Sequence, residues 1–333
     1  MIGWLKVRET SAVAEARRRA RRTANAMGLH STKVEHAAIV ATEIAQNILR
    51  HGGGGQVLIE IFGAPSLERL HIVGHDQGPG IGRIDRALRD GVTSKDSPGT
   101  GLGAIKRLSD RVDIFSEPGR TVVASEFRRQ TIRQTSPADH AGFKLAYPGE
   151  RRCGDTVAVR SGHDECFYFL ADGLGHGAKA AGAAAAAKKA FLAATGDDPA
   201  DILLQVGEAL QGTRGAVGAV VALDHSTSRL RYAGIGNIST LVVQGKTVRR
   251  LVVRDGLLGG RAATPHQETV ELEPGAILVM HSDGLNTLRS LDKQASLLQR
   301  SAPVIGADLL TYNLRGRDDA SIIVSRLSAA RTL

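Results

Sequence analysis

A glycine-rich segment at residues 76–80, with the sequence DQGPG, most constrains what this chain can fold into. A second glycine-rich segment, GTGLG, follows at residues 99–103. Upstream, Glu43 and Asn47 are spaced so that both lie on one face of a helix. A glycine-rich loop that opens a helix presents backbone N–H groups to phosphates. In this order, the three segments predict a nucleotide site that does not use a Walker loop.

These segments resemble those of the GHKL ATPases, in particular the RsbT/RsbW-type serine kinases, over roughly residues 5–130. The resemblance implies that Asn47 holds Mg²⁺, that Glu43 is the catalytic base and that Asp76 contacts adenine. It implies that the glycines of the first loop shape the pocket floor and that those of the second loop cradle the phosphates. The remaining residues expected to bind ATP are Gly78, Gly80, Gly99, Gly101, Leu102 and Gly103. Alternating and β-branched apolar residues predict strands between the segments, at 57–62, 69–74 and 121–127.

The second half of the chain carries carboxylates at the ends of predicted strands. They are Asp155, Asp172, Asp283, Asp318 and Asp319. Mg²⁺ and Mn²⁺ prefer oxygen ligands and keep several waters. Carboxylates at the ends of adjacent strands can converge on one pole of a sheet sandwich, where two ions activate water for in-line attack on phosphorus. Asp172 and Asp283 are each followed by glycine, and an Asp-Gly pair alone is usually a turn, but both of these pairs end apolar runs, which favours a metal site.

This half resembles the metal-dependent protein phosphatases of the SpoIIE/RsbX branch. The resemblance implies that Asp155 and Asp172 bind the metals together with the carbonyl of Gly173. Asp283 and Asp318 would complete the site, with Asp319 as the alternative to Asp318. The residue that contacts the substrate's phosphate stays unassigned.

Together the two resemblances predict a two-domain α+β protein. A GHKL α/β sandwich is expected at residues 1–130, a linker at 131–144 and an αββα phosphatase sandwich at 145–333. A length of 333 residues gives each domain enough chain to bury its own core. No apolar stretch reaches membrane-spanning length, so no membrane association is expected. The two cysteines lack metal or redox spacing, which favours a cytoplasmic location.

The formal net charge is +9, and five arginines between residues 17 and 22 form a basic cluster. Such a cluster can bind nucleic acid or a membrane surface. No aromatic stacking set or DNA-binding motif accompanies it, so we favour a solvated helix face that meets an acidic partner or the adjoining domain.

The resemblances imply a bifunctional regulator that uses ATP, Mg²⁺ and Mn²⁺. Kinase and phosphatase would act on a STAS-type phosphoprotein of a partner-switching or stressosome-like pathway. A downstream phosphatase, cyclase or sigma-factor regulator is a further expected kind of partner. The alternative is a phosphatase whose first domain binds ATP without catalysis and sequesters a sigma factor or another regulator.

Overall fold

The computed structural model describes residues 4–88, 101–129, 138–162, 165–260 and 264–327. The strands predicted around the first glycine-rich segment lie in one five-stranded antiparallel sheet. In chain order its strands are β1 (Leu5–Val7), β2 (Gly55–Phe62), β3 (Arg69–Asp76), β4 (Arg111–Glu117) and β5 (Arg120–Arg128). Their spatial order is β1-β2-β3-β5-β4. The sequence did not predict β1 or β4.

Helices cover one face of this sheet. They are α1 (Thr10–Ala26), α2 (Ser31–His51), the single turn α3 (Ile84–Ala87) and α4 (Gly101–Leu108). Four alanines of α1, from Ala12 to Ala24, recur at a spacing of four and are buried. Residues four apart share a helix face, and their small side chains let α1 pack closely against α2.

The basic cluster lies on the exposed side of α1 and is paired within the domain. Glu15 forms ion pairs with three of its arginines, and Glu35 of α2 with the other two. The paired arginines are Arg17, Arg18, Arg19, Arg21 and Arg22. Exposed pairs of this kind contribute little stability, and they make the cluster a mixed-charge surface.

Two further five-stranded sheets face each other in the second half. One contains β7 (Asp155–Ser161), β8 (Glu165–Gly173), β9 (Ala216–Asp224), β10 (Arg229–Ile235) and β13 (Glu268–Glu271). The other contains β6 (Ala138–Leu145), β11 (Ser239–Gln244), β12 (Thr247–Arg250), β14 (Ile277–His281) and β15 (Ala320–Leu327). Strand β8 alternates between its two sides: Tyr168 and Leu170 point between the sheets, and Phe167 and Phe169 point outward.

Helices cover the outer faces of this sandwich. The helices α5 (Gly177–Ala193) and α6 (Pro199–Ala209) pack on the sheet that contains β8. A 3₁₀ turn (Leu291–Lys293), α7 (Ala295–Leu298) and α8 (Ala302–Tyr312) lie on the outer side of the other sheet. This layer order is the αββα sandwich that the sequence predicted.

The structure corrects the predicted linker at residues 131–144. Strand β6 begins within this range and pairs with β15 along its whole length, from Ala138 opposite Leu327 to Leu145 opposite Ala320. The buried side chains of Ala141 and Phe143 alternate along it, a strand pattern that the polar residues before it obscured. The second sandwich therefore starts by residue 138.

Helix α8 joins the two halves into one core. Its residues from Ala302 to Leu310 are all buried. One side of α8 packs against the sheet that contains β6 and β15. The other side covers the face of the first sheet that α1 and α2 leave open, and there it contacts the core that includes Leu58, Val73 and Val122. Because residues 302–310 are buried on every side of the helix, with Asp308 as their one charged member, α8 needs cover from both sheets.

Polar contacts fix the docking of the two halves. The guanidinium of Arg120 on β5 donates to both carboxylate oxygens of Asp308 on α8, with Nε 2.8 Å from Oδ1, and also to Gln294 at 3.0 Å. Asp308 is fully buried and Arg120 is partly buried. Nearby, the hydroxyl of Tyr312 donates to the carbonyl of Gly119 at 2.7 Å.

We expect Asp308→Ala to lower the free energy of unfolding by roughly 3 kcal/mol, because it leaves Arg120 partly buried without its counter-charge. Urea unfolding followed by circular dichroism measures the change. The exposed pair Arg229–Glu271 provides a matched control, since Glu271→Ala should change the free energy of unfolding by less than about 0.5 kcal/mol. Equal midpoints for the two variants would contradict a stabilising role for the interdomain pair.

Candidate functional site

Asp76 ends β3 and begins the first glycine-rich loop. Its Oδ1 accepts a hydrogen bond from the backbone N–H of Gly78 at 2.9 Å. Burial raises the pKa of the Asp76 carboxyl, while the Gly78 amide and His51 oppose the shift. The carboxylate is thus held in a defined orientation at the open end of the first domain's sheet.

The glycines of this loop are required by their surroundings. A Cβ on Gly78 would lie 2.6 Å from the carbonyl oxygen of His51, at the end of α2. Gly80 has a φ of +84°, which disfavours any other residue, and a Cβ there would lie 3.0 Å from the backbone of Glu117. The N–H of Gly119 donates to the Gly78 carbonyl at 2.8 Å. The loop is therefore held between α2 and the turn that joins β4 to β5.

Glu43 and Asn47 lie one helical turn apart on α2, as the sequence predicted. Burial raises the pKa of Glu43, and Arg50 opposes the shift. The side-chain oxygen of Asn47 faces the first residue of α4, because a Cβ on Gly101 would lie 3.3 Å from it. The helix N-terminus predicted to meet phosphates is thus beside the residue predicted to hold Mg²⁺.

The other residues of the second glycine-rich segment differ in placement. Leu102 is partly buried against the core of the first domain, and Gly103 is buried within α4. Gly99 lies outside the described residues.

Asp155 and Asp172 lie directly opposite each other on the antiparallel strands β7 and β8. The N–H of Gly173 donates to the carbonyl of Gly154 at 3.0 Å, which holds the ends of the two strands together. Asp155 is buried, and neither of its carboxylate oxygens has a partner in good hydrogen-bond geometry among the described residues, although the hydroxyls of Ser282 and Ser321 are near enough to oppose the rise in its pKa that burial causes. A buried carboxylate without well-placed donors needs a proton or a cation to offset its charge.

The opposite sheet supplies two more carboxylates. Asp283 follows β14 by two residues, and Asp318 precedes β15 by two residues. The side-chain amide of Asn237, in the loop between β10 and β11, donates to Oδ2 of Asp283 at 2.8 Å. Oδ1 of Asp283 is buried and has no partner among the described residues. Asn237 was not among the site residues predicted from the sequence.

Burial and repulsion between neighbouring carboxylates raise the pKa values of Asp155, Asp172 and Asp283. Burial raises the pKa of Asp172 to about 9, and the charges of the other three aspartates add to the shift. Burial likewise raises the pKa of Asp155 to about 7. Within the described residues, no three His, Cys, Asp or Glu side chains lie close enough together to hold a metal ion in the present arrangement. The donor set nevertheless fits a hard divalent cation, since its oxygens are carboxylates and three of them are buried without partners.

Asp319 lies near Asp155, and its charge adds to the rise in the pKa of Asp155 that burial causes, but its own carboxylate is occupied by backbone donors. Its two carboxylate oxygens accept hydrogen bonds from the backbone N–H groups of Tyr147, at 2.7 Å, and of Gly154, at 2.9 Å. It thereby ties the segment before β7 to the start of β15. Asp318 instead lines an adjoining cavity together with Asp283.

Two protein families match this chain. Residues 7–125 match the histidine kinase-like ATPase domain, and residues 162–328 match the stage II sporulation protein E (SpoIIE) family. No helix in the part of the chain that the structure describes combines the length and apolar character needed to cross a membrane.

Two proteins of Bacillus subtilis (strain 168) are similar to separate parts of the chain. The serine/threonine-protein kinase RsbT is 32% identical over 107 residues, which make up 32% of this chain and 80% of RsbT. The phosphoserine phosphatase RsbX is 26% identical over 190 residues, which make up 56% of this chain and 93% of RsbX.

Solved structures support the fold of the second half. A chain from a study of the bacterial stressosome as "a modular system that has been adapted to control secondary messenger signaling" has a TM-score of 0.54 and 25% identity, and the match covers 57% of this chain and 99% of that chain. RsbX in complex with magnesium has a TM-score of 0.53 and 23% identity, covering 60% of this chain and 99% of that chain. Because the SpoIIE match spans half of its length, this chain belongs to the SpoIIE family, and it carries a histidine kinase-like ATPase domain in front of its phosphatase domain.

Proposed function

We propose that this protein is a bifunctional partner-switching regulator. It phosphorylates a serine or threonine of a STAS-type protein with ATP, and it removes the phosphate with the help of Mg²⁺ or Mn²⁺. The observation that supports two activities is that each half keeps its own set of functional side chains, Glu43 and Asn47 in one and the four aspartates in the other. The ATP site and the reduced, buried cysteines favour a cytoplasmic location.

In the kinase reaction Glu43 accepts the proton of the substrate hydroxyl. The oxygen of that hydroxyl forms a bond to the γ-phosphorus as the bond to the β-phosphate oxygen breaks. The raised pKa of Glu43 suits this role, since a base works best when its pKa approaches the working pH. Asn47 would hold Mg²⁺ beside α4, and Asp76 would accept a hydrogen bond from the adenine amine.

In the phosphatase reaction Asp155, Asp172, Asp283 and Asp318 would hold the divalent ions, with the carbonyl of Gly173 as a further ligand. Asp318 is better placed than Asp319, whose oxygens already accept two backbone N–H groups. When bound, the ions supply positive charge at the phosphoryl group and a water activated for attack. Asn237 leaves Oδ1 of Asp283 available by holding its Oδ2.

The ATP assignment predicts that Asp76→Asn and Asn47→Ala each abolish nucleotide binding. Asp76→Asn replaces a carboxylate acceptor with an amide, and Asn47→Ala removes the ligand for the ion that bridges the phosphates. Calorimetry with Mg²⁺ and ATP measures the affinity. Glu43→Gln is the matched control, since it should still bind ATP and lose only phosphate transfer. Unchanged ATP affinity in both Asp76→Asn and Asn47→Ala would contradict the assignment of these residues to ATP binding.

The metal assignment predicts that Mn²⁺ affinity rises as the pH is raised from 6 to 8, because binding must displace protons from Asp155 and Asp172. Calorimetry in buffers of different ionisation enthalpy counts the protons released.

The same assignment predicts that Asp172→Ala and Asp283→Ala lose hydrolysis of a phosphoserine protein while remaining folded by circular dichroism. Metal binding without proton release, or hydrolysis that persists in EDTA, would show that the two-metal assignment is wrong.

A single shared substrate predicts opposite effects for variants of the two sites. With ATP and a candidate STAS protein, Glu43→Ala should leave the substrate dephosphorylated, and Asp283→Ala should leave it phosphorylated. The wild-type protein should give an intermediate level set by the ratio of the two rates. Mass spectrometry of the substrate measures that level.

The same experiment tests the alternative function. If Asp283→Ala yields no more phosphoprotein than the wild type, the first domain does not phosphorylate this substrate. A first domain that binds ATP without catalysis, next to an active phosphatase, then accounts better for the result.

A further inference from the structure

A cavity of about 510 Å³ adjoins the carboxylates of the candidate metal centre. Its lining residues are Asp283, Asn286, Leu314, Arg315, Arg317 and Asp318. Two proposed metal ligands therefore share one small space with two arginines. Neither arginine was assigned a role from the sequence.

The backbone holds Arg315 close to Asp283. The N–H of Arg315 donates to the carbonyl of Gly284 at 2.9 Å, and Gly284 is the residue after Asp283. Leu285 and Leu314 form an isolated bridge, and the N–H of Asn286 donates to the carbonyl of Asn313 at 2.7 Å. These contacts fix the segment that carries Arg315 to the segment that carries the metal ligand.

The guanidinium groups at this cavity are exposed and have no ion-pair partner within the described residues. Three other arginines of the same domain do form ion pairs, Arg229 with Glu271, Arg231 with Glu165 and Arg249 with Glu268. The positive charge of Arg315 nevertheless acts on Asp283, where it opposes the rise in pKa caused by burial. Two unpaired cations thus stand beside a carboxylate-rich site.

The charges of the site explain what these cations can do. Two divalent ions held by the four aspartates would be neutralised by them, and the two negative charges of a phosphomonoester would then lack compensation. Two guanidinium groups would supply that compensation. A guanidinium also matches phosphate geometry with two parallel N–H donors.

We propose that Arg315, assisted by Arg317, binds the phosphate of the phosphoserine or phosphothreonine substrate. This inference rests on the proposed phosphatase activity and supplies its missing phosphate-contacting residue. Arg315 and Arg317 hold the phosphoryl oxygens from the cavity side. Leu314 and Asn286 lie on the same wall and contact the substrate residue that carries the phosphate.

Steady-state hydrolysis of a phosphoserine peptide by the full chain with Mn²⁺ tests the inference. Arg315→Gln should raise KM roughly 10- to 100-fold, the effect of losing hydrogen bonds to a charged group. Arg315→Lys should recover only part of this loss, since an ammonium group cannot bind two oxygens in parallel. Arg317→Gln should have a smaller effect in the same direction, and the affinity for inorganic phosphate, measured by calorimetry on the Mn²⁺-loaded protein, should fall in parallel.

A second measurement separates phosphate binding from general damage to the site. Mn²⁺ affinity, measured by calorimetry without substrate, should stay the same or rise in Arg315→Gln, because a positive charge near Asp283 is removed. A loss of Mn²⁺ affinity along with the higher KM would mean that Arg315 only supports the structure of the site, and the inference would be overturned.

The matched control is Arg214, an exposed arginine whose guanidinium lies near Gly175. Gly175 is on the loop that follows Asp172. Arg214→Gln should leave KM within about 2-fold of the wild-type value if the phosphate is bound from the cavity. A large rise in KM for Arg214→Gln with none for Arg315→Gln would show that Arg214, and not the cavity, binds the phosphate, and the inference would be overturned. Absence of hydrolysis in the wild-type protein would instead contradict the phosphatase activity itself.

Discussion

The burial of α8 between two sheets is the constraint on which the rest of the structure depends. Buried residues lie on every side of this helix, so neither sheet alone could remove all of them from water. The first domain likewise leaves one face of its sheet without helices, and α8 covers that face. Each half therefore completes the core of the other, which explains how two domains with separate family relationships form one body.

The same interface places the two candidate sites on connected segments. The N–H of Gly119 donates to the carbonyl of Gly78 in the first glycine-rich loop, and the carbonyl of Gly119 accepts from Tyr312 at the end of α8. Arg315 follows three residues later, beside Asp283. Burial lowers the pKa values of His71 and His75 at this interface to about 4, so both side chains are neutral at neutral pH and add no buried charge. The buried charge of Asp308 is offset by Arg120.

The sequence predicted the parts of the structure that depend on local pattern. The strands that contain Asp76 and Asp172 were visible because their apolar runs stop at an aspartate in a glycine-containing segment, DQG at 76–78 and DG at 172–173. Strand β6 was missed because its short apolar alternation follows a polar stretch. The partners of Asp283 and Asp319 could not be predicted, since Asn237 and Tyr147 are distant in sequence and meet them only through the packing of two sheets. For the same reason the different surroundings of Asp318 and Asp319 are visible only in the structure.

The release of ADP per molecule of STAS substrate tests the central claim, that one chain both adds and removes the same phosphate. With excess ATP and Mn²⁺, the wild-type protein should release many equivalents of ADP per substrate molecule, because each phosphate added is removed again. Asp283→Ala should release about one equivalent for each phosphosite and then stop. A wild-type reaction that also stops after one equivalent, or that releases ADP equally well without the substrate, would contradict the account.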